Sequence, residues 1–105
     1  MSQNQTAAHT VRPAATVSVP DQVVHRRFAA ETVLLNLQTG QYHGVNPTGG
    51  RMLELLEQGR TIAETAAVLA DEYGRPMGEL QDDVADFCAG LAERGLIQID
   101  AAHGR

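Results

Sequence analysis

The sequence predicts a small α+β domain of winged-helix-like form, in which a three-stranded antiparallel sheet is followed by three helices. Three observations support this fold class. Short β-type runs occupy the first half, a glycine turn joins two of them, and three amphipathic patterns with cap signals fill the second half. At 105 residues, of which 43% are hydrophobic, the chain is long enough for one modest core.

The chain divides into a central domain and two tails. Residues 1–14 are small and polar and lack periodicity, so we predict a disordered N-terminal tail there, and a flexible C-terminal tail over residues 100–105. The domain is expected to span residues 15–99. Its first β-type runs flank a turn at Pro20-Asp21, and the second run extends from Val23 to Phe28.

A hairpin is predicted from the run ETVLLNLQ at 31–38 and the run QYHGV at 41–45. Gly40 supplies the positive φ that a tight turn needs. A two-residue turn would place Leu37 opposite Tyr42. Both faces of the hairpin then carry apolar residues, and both are expected to be covered: Val33, Leu35, Leu37 and Tyr42 on one face, Leu34 and Val45 on the other.

The first two helices carry clear boundary signals. Asn46 or Thr48 is expected to cap the first, with Pro47 in its first turn and an end at Gly59. The second begins at Thr61 with a capping box to Glu64 and closes at Gly74. The predicted inward residues of these helices are Met52, Leu53, Leu56, Ile62, Ala66, Leu69 and Tyr73.

The third helix is predicted from Met77 to Arg94, and the run at 96–99 favours a short terminal strand. The expected core stripe of the third helix contains Leu80, Val84, Phe87, Cys88 and Leu91. A second stripe beside it contains Asp83, Phe87, Gly90 and Arg94, which combine one ring, a glycine gap and two opposite charges. Phe87 belongs to both stripes, so it either completes the core or lines a groove.

No catalytic residue and no metal or cofactor site is expected. Cys88 is the single cysteine, so it forms no internal disulfide, and the four histidines are too scattered for metal ligation. The N-terminus lacks the apolar region of a signal peptide, and the apolar runs are too short to span a bilayer. We therefore expect a cytoplasmic protein without membrane partners.

The charge balance disfavours nucleic acid as a partner. The net charge is −5, and all eight basic residues are arginines. In a DNA-binding winged helix the third helix enters the major groove, but here it would bring carboxylates against phosphates. The acidic residues of this helix either form a solvated face that suits the helix dipole or attract a basic partner segment: Glu79, Asp82, Asp83 and Asp86.

The run 41–45 is the feature best suited to binding. It is an uncharged edge without proline, and Gly44 lets another backbone come close, so a guest strand could add there by β-augmentation. A groove between this edge and the second stripe of the third helix would hold the guest. Alternatively, the N-terminal segment or a dimer mate covers the edge. A proline at His43 is expected to block pairing while the fold survives.

The segment VLLNLQTGQYHGVNPTGGRMLELLEQGRTIAETAAVLADEYG, together with LAERGLI near the end, resembles the PqqD-like fold. This fold is the precursor-recognition element of pathways that modify ribosomally made peptides. The resemblance covers roughly residues 17–99. It implies that a precursor leader peptide binds as an added strand beside residues 41–45, in a groove shared with the third helix.

Within this family the lead-in VSVPDQVV and the short form are most similar to the leader-binding protein of lasso-peptide pathways. That similarity implies a non-enzymatic adaptor and a separately encoded leader peptidase of the cysteine-protease type. The alternative is a peptide chaperone of pyrroloquinoline quinone biosynthesis, partnered with a radical SAM enzyme. The residues expected to bind peptide are Leu35, Leu37, Gln41, Tyr42, His43, Gly44, Val45, Asp83, Val84, Asp86, Phe87, Gly90, Leu91 and Arg94.

Overall fold

The structure is a computed structural model, and it describes residues 11–100. The predicted fold class is confirmed, because a three-stranded antiparallel sheet precedes three helices. In chain order the elements are β1 (Thr16–Ser18), β2 (Val23–Arg27), β3 (Thr32–Asn36), β4 (Tyr42–Val45), α1 (Pro47–Glu57), α2 (Ile62–Tyr73), α3 (Met77–Glu93) and β5 (Gln98–Asp100).

Within residues 11–100 the strands form two separate sheets, and the hairpin belongs to the three-stranded one. The three-stranded sheet has the order β2-β3-β4, so β4 lies at its edge. The first and last strands pair with each other, with Val17 opposite Ile99. The expected terminal strand therefore exists, and β1 is engaged by β5 instead of covering β4.

The hairpin loop is longer than the predicted two-residue turn. Asn36 donates its backbone N–H to the Gln41 carbonyl at 2.9 Å, which leaves four residues in the loop. The Asn36 side-chain oxygen accepts from the Gln38 and Thr39 N–H groups at 2.9 and 3.3 Å, and this Asx turn stabilises the wider loop. As a result Leu35, and not Leu37, lies opposite Tyr42. The shift of two residues preserves the predicted faces.

The predicted caps position the helices. Asn46 caps α1 by accepting from the Gly49 N–H at 2.8 Å, and the Thr61–Glu64 capping box opens α2. Most of the expected inward residues are buried. Tyr73 is the exception at 43% exposure, and Phe87 is half-buried at the margin of the core. The fully buried centre of the core includes Leu34, Leu53, Leu56, Ile62, Leu69, Leu80, Val84 and Cys88.

Part of the predicted N-terminal tail is packed. Val11 is buried, and the Pro13 carbonyl accepts from the Ala63 N–H at 2.9 Å, so residues 11–14 lie against the start of α2. These contacts supply partners for N–H groups that a helix start leaves unpaired. At the other end Asp100 belongs to β5. The remaining predicted tail residues, 1–10 and 101–105, lie outside the described residues. Between residues 11 and 100, no helix is long and apolar enough to cross a membrane.

Candidate functional site

Among the residues from 11 to 100, the backbone groups on the outer edge of β4 have no strand partner. In an antiparallel ladder, hydrogen-bonded residue pairs alternate with pairs that are not hydrogen-bonded. Because the Asn36 N–H donates to the Gln41 carbonyl, the next hydrogen-bonded residues of β4 are His43 and Val45, whose backbone groups point toward β3. Tyr42 and Gly44 direct their N–H and C=O groups away from β3. In the described part of the chain no strand pairs with this side of β4. The edge therefore offers two donors and two acceptors to a guest strand.

A groove runs beside this edge, between β4 and α3. It consists of three adjoining depressions with volumes of about 470, 330 and 370 Å³. The first and second share His43 and Arg94, and the second and third share Asp86 and Phe87. The full lining is Asn36, Gly40, Gln41, Tyr42, His43, Gly44, Val45, Asn46, Thr48, Gly49, Met52, Asp83, Asp86, Phe87, Gly90, Leu91, Arg94 and Leu96.

Phe87 forms an apolar part of the groove, and Gly49 makes room for its ring. A Cβ atom at position 49 would lie 3.0 Å from Phe87 Cε1 and 3.2 Å from Val45 Cβ, closer than ordinary packing allows. The glycine in the first turn of α1 thus lets the ring pack beside β4. The ring remains half-buried, with part of its surface open to the groove. It can serve as an anchor for an apolar guest side chain.

Three of the predicted peptide-binding residues lie outside the groove. Val84 is fully buried in the core. Leu35 and Leu37 lie on the opposite face of the sheet, because they alternate with the buried Leu34 along the strand. The side chain of Tyr42 shares that outer face and is 76% exposed, although its backbone faces the free edge.

Several residues that line the groove were not among the predicted peptide-binding residues. Asn46 is the predicted helix cap, and both Asn46 and Gly49, which lies in the first turn of α1, line the groove as well. The adjacent pair Gly49-Gly50 in a first helical turn was the available signal, since helices rarely carry two glycines without a packing reason. Nothing in the sequence around Leu96 indicates a binding role, because only the turn after α3 brings this residue to the groove.

The two ends of the groove differ in charge. Arg94 and His43 lie at the end near Tyr42, whereas Asp83 and Asp86 lie at the end near Asn46. Asp83 is 3.2 Å from the Arg75 guanidinium. Arg94 and Asp86 are exposed, and no ion pair involves either one among the residues from 11 to 100.

The described residues contain no evident reactive group. Cys88 is fully buried, and this burial raises the pKa of its thiol to about 12, so the nucleophilic thiolate is scarce at neutral pH. No three side chains of the His, Cys, Asp or Glu type between residues 11 and 100 are grouped as metal ligands. The chemistry that this surface supports is the binding of an extended backbone.

Comparison with protein families gives a match over residues 31–97 to the model described as coenzyme PQQ synthesis protein D (PqqD). The chain belongs to the PqqD family. This PqqD-family protein is similar to TbiB1, whose structure was solved in complex with the TbiA(beta) leader peptide. The two are 35% identical, with 76% of this chain and 93% of that one covered and a TM-score of 0.72. The resemblance inferred from the sequence is thereby confirmed.

Two further solved structures share the fold at lower identity. A lasso peptide synthetase B1, complexed with the leader peptide, is 23% identical over 77% of this chain and 95% of that one, with a TM-score of 0.74. The PqqD truncation of Methylobacterium extorquens PqqCD, a stand-alone RiPP recognition element, is 20% identical over 82% and 97%, with a TM-score of 0.68. No curated protein gives a significant match.

Proposed function

We propose that this PqqD-family protein binds the leader of a ribosomally made precursor peptide as a strand added beside β4. The observation that carries the proposal is the free edge itself: the backbone groups of Tyr42 and Gly44 point outward, directly beside the groove lined by Phe87. Antiparallel addition extends the β2-β3-β4 sheet by one strand. Side chains of the guest that face the groove supply the apolar anchoring.

The edge and the groove supply about 4–8 kcal/mol of favourable contacts before the cost of association, and contacts with flanking leader residues are needed for the remainder. Four edge hydrogen bonds contribute about 0.5–1.5 kcal/mol each after exchange with water, which gives roughly 2–6 kcal/mol. An anchored apolar side chain at Phe87 adds about 2 kcal/mol or more. Micromolar binding requires about −8 kcal/mol, a value within reach of these terms when longer flanking contacts are included.

The lasso-peptide branch of the family supports a more specific role. TbiB1, the relative with 35% identity, was solved with a leader peptide bound. We infer that this chain is a cytoplasmic, non-enzymatic adaptor without a cofactor, which presents the leader to a separately encoded leader peptidase of the cysteine-protease type. In this role the buried Cys88 takes no part in cleavage, and the peptidase supplies the nucleophile.

A titration tests the leader-binding role. A fluorescein-labelled leader, taken from a short precursor reading frame sought beside the gene of this protein, is titrated with the folded chain and followed by anisotropy. A saturable increase that an unlabelled leader reverses is the expected result. The titration is repeated with the neighbouring peptidase present. If both titrations stay flat while circular dichroism shows folded protein, the proposed function is wrong.

A second candidate is supported by the family model itself, whose description refers to pyrroloquinoline quinone synthesis. In that role the same groove would bind the precursor of the quinone cofactor and present it to a radical SAM enzyme. The two candidates differ in the peptide bound. Competition between the encoded leader and a quinone-precursor peptide distinguishes them, and the tighter competitor identifies the pathway.

A further inference from the structure

The opposite charges at the two ends of the groove bear on which guest sequence fits, given the proposed function. Arg94 lies beside the first residues of β4, and Asp86 lies beside its last residue and Asn46. Both side chains are exposed and form no ion pair within the described range. Each can therefore accept an oppositely charged side chain without first breaking an existing contact.

The spacing of these charges corresponds to an even number of strand residues. Asp86 and Arg94 are eight residues apart on α3, which is about 12 Å at 1.5 Å per residue. A strand advances about 3.4 Å per residue, so 12 Å corresponds to between three and four guest residues. Side chains on one face recur every second residue. The nearest spacing that keeps both guest charges facing the groove is therefore four residues.

Glu31 adds negative charge at the same end as Asp86, on the other side of the edge. A Cβ atom at Gly44 would lie 2.7 Å from Glu31 Oε1, so the carboxylate of Glu31 extends across Gly44. No ion pair involves Glu31 in the part of the chain that the structure describes. A guest residue near Gly44 is thus flanked by carboxylates on both faces of the sheet.

We propose that the groove selects leaders with a cationic residue near Asp86, at the end where Glu31 adds negative charge from the other face, and an anionic residue four positions away near Arg94. The strands already present in this sheet pair in antiparallel fashion, and an antiparallel guest runs from the Asn46 end toward Tyr42. In that direction the cationic residue precedes the anionic one in the leader sequence. An apolar side chain between them lies over Gly90 and Leu91, beside the ring of Phe87.

A charge scan of the leader tests this proposal. Each residue of the labelled leader is replaced in turn by Lys and by Glu, and binding is measured with the native chain and with the Asp86→Arg and Arg94→Glu variants. Because exposed ion pairs contribute modestly, we expect a Lys-over-Glu preference of about five-fold at one position and the reverse preference four positions later. Asp86→Arg should invert the first preference and Arg94→Glu the second.

Asp82→Arg is the matched control, since Asp82 is exposed on α3, does not line the groove, and undergoes the same change in charge. It should leave both preferences intact, and high salt should reduce them. If the leader binds but no pair of positions four apart shows the opposite preferences, the charge proposal is wrong while the proposed function stands. The charge proposal is also wrong if the preferences persist in the reversed variants. If no leader binds, the proposed function fails, and the charge proposal fails with it.

Discussion

Replacing Tyr42 with proline removes one edge donor from β4 without touching the ladder to β3. The N–H of Tyr42 points away from β3, and its ring is largely exposed on the outer face of the sheet. Proline is tolerated on an edge strand where the N–H of the residue that it replaces faces solvent. We therefore expect Tyr42→Pro to remain folded while its affinity for a guest strand falls.

The expected loss of binding free energy follows from the number of hydrogen bonds that the outer edge of β4 can make with a guest strand. A guest carbonyl that would accept from Tyr42 is left without a partner, which costs about 1–3 kcal/mol. This corresponds to a dissociation constant that is roughly 5- to 150-fold weaker. The proline ring also obstructs close approach of the guest backbone, so we expect a value in the upper half of this range.

The assay is anisotropy with the labelled leader, alongside thermal unfolding of each variant. Tyr42→Ala is the matched control, because it removes the ring but keeps the N–H, and its affinity should stay near that of the native chain. His43→Pro differs from Tyr42→Pro because it removes an N–H that points toward β3. The N–H of His43 belongs to the ladder with Leu34, so this change should destabilise the fold itself by about 1–3 kcal/mol.

A folded Tyr42→Pro variant that binds the leader within two-fold of Tyr42→Ala would contradict strand addition at the edge of β4. Such a result would mean that the guest does not pair with the free edge of β4. Binding would then depend on side-chain contacts in the groove alone.

Three further predictions concern single side chains. Phe87→Ala should weaken leader binding about 30-fold, as expected for loss of a central aromatic anchor, whereas an unchanged anisotropy curve would exclude the ring from the site. Cys88 should resist a thiol reagent at pH 8 in the native protein and react in denaturant, because it is buried and its pKa is about 12. Rapid native labelling would contradict this burial. Thr65→Val should raise the free energy of unfolding by about 1 kcal/mol, measured by urea denaturation, because the buried Thr65 hydroxyl has no hydrogen-bond partner in the described structure. A destabilised variant would indicate that the hydroxyl is hydrogen-bonded to water.

Local signals determined much of the architecture. The capping box of Thr61 and Glu64, the glycine at 74 and the cap at Asn46 act over three or four residues, so they could be read directly from the sequence. The alternation around Leu34 separated the two faces of the hairpin, and the face with Leu34 is buried as expected. The expected cover of the other face is absent within residues 11–100, where Leu37 and Tyr42 are 59% and 76% exposed. The family resemblance then supplied the expected groove between the hairpin edge and the third helix.

The tertiary structure alone decided which backbone groups are free. The Asx turn of Asn36 lengthened the loop by two residues, and only the resulting hydrogen bonds show that Tyr42 and Gly44 face outward while His43 faces β3. The sequence indicated that a proline at His43 would block guest pairing while the fold survives, whereas the ladder bond of the His43 N–H predicts a cost to the fold as well.

The sequence by itself determined the helix boundaries and the alternation of the hairpin faces, because these depend on periodicity and on cap residues close in the chain. The family was identified by the resemblance of longer segments in their order and spacing. Only the tertiary structure decided that Val84 is sealed in the core, that Phe87 opens to a groove, and that Arg94 and Asp86 lie at opposite ends of it. Those properties depend on how α3 packs against α2 and on where this packing places its Phe87 side relative to β4 and α1. That placement joins residues about 40 positions apart, and no local pattern encodes it.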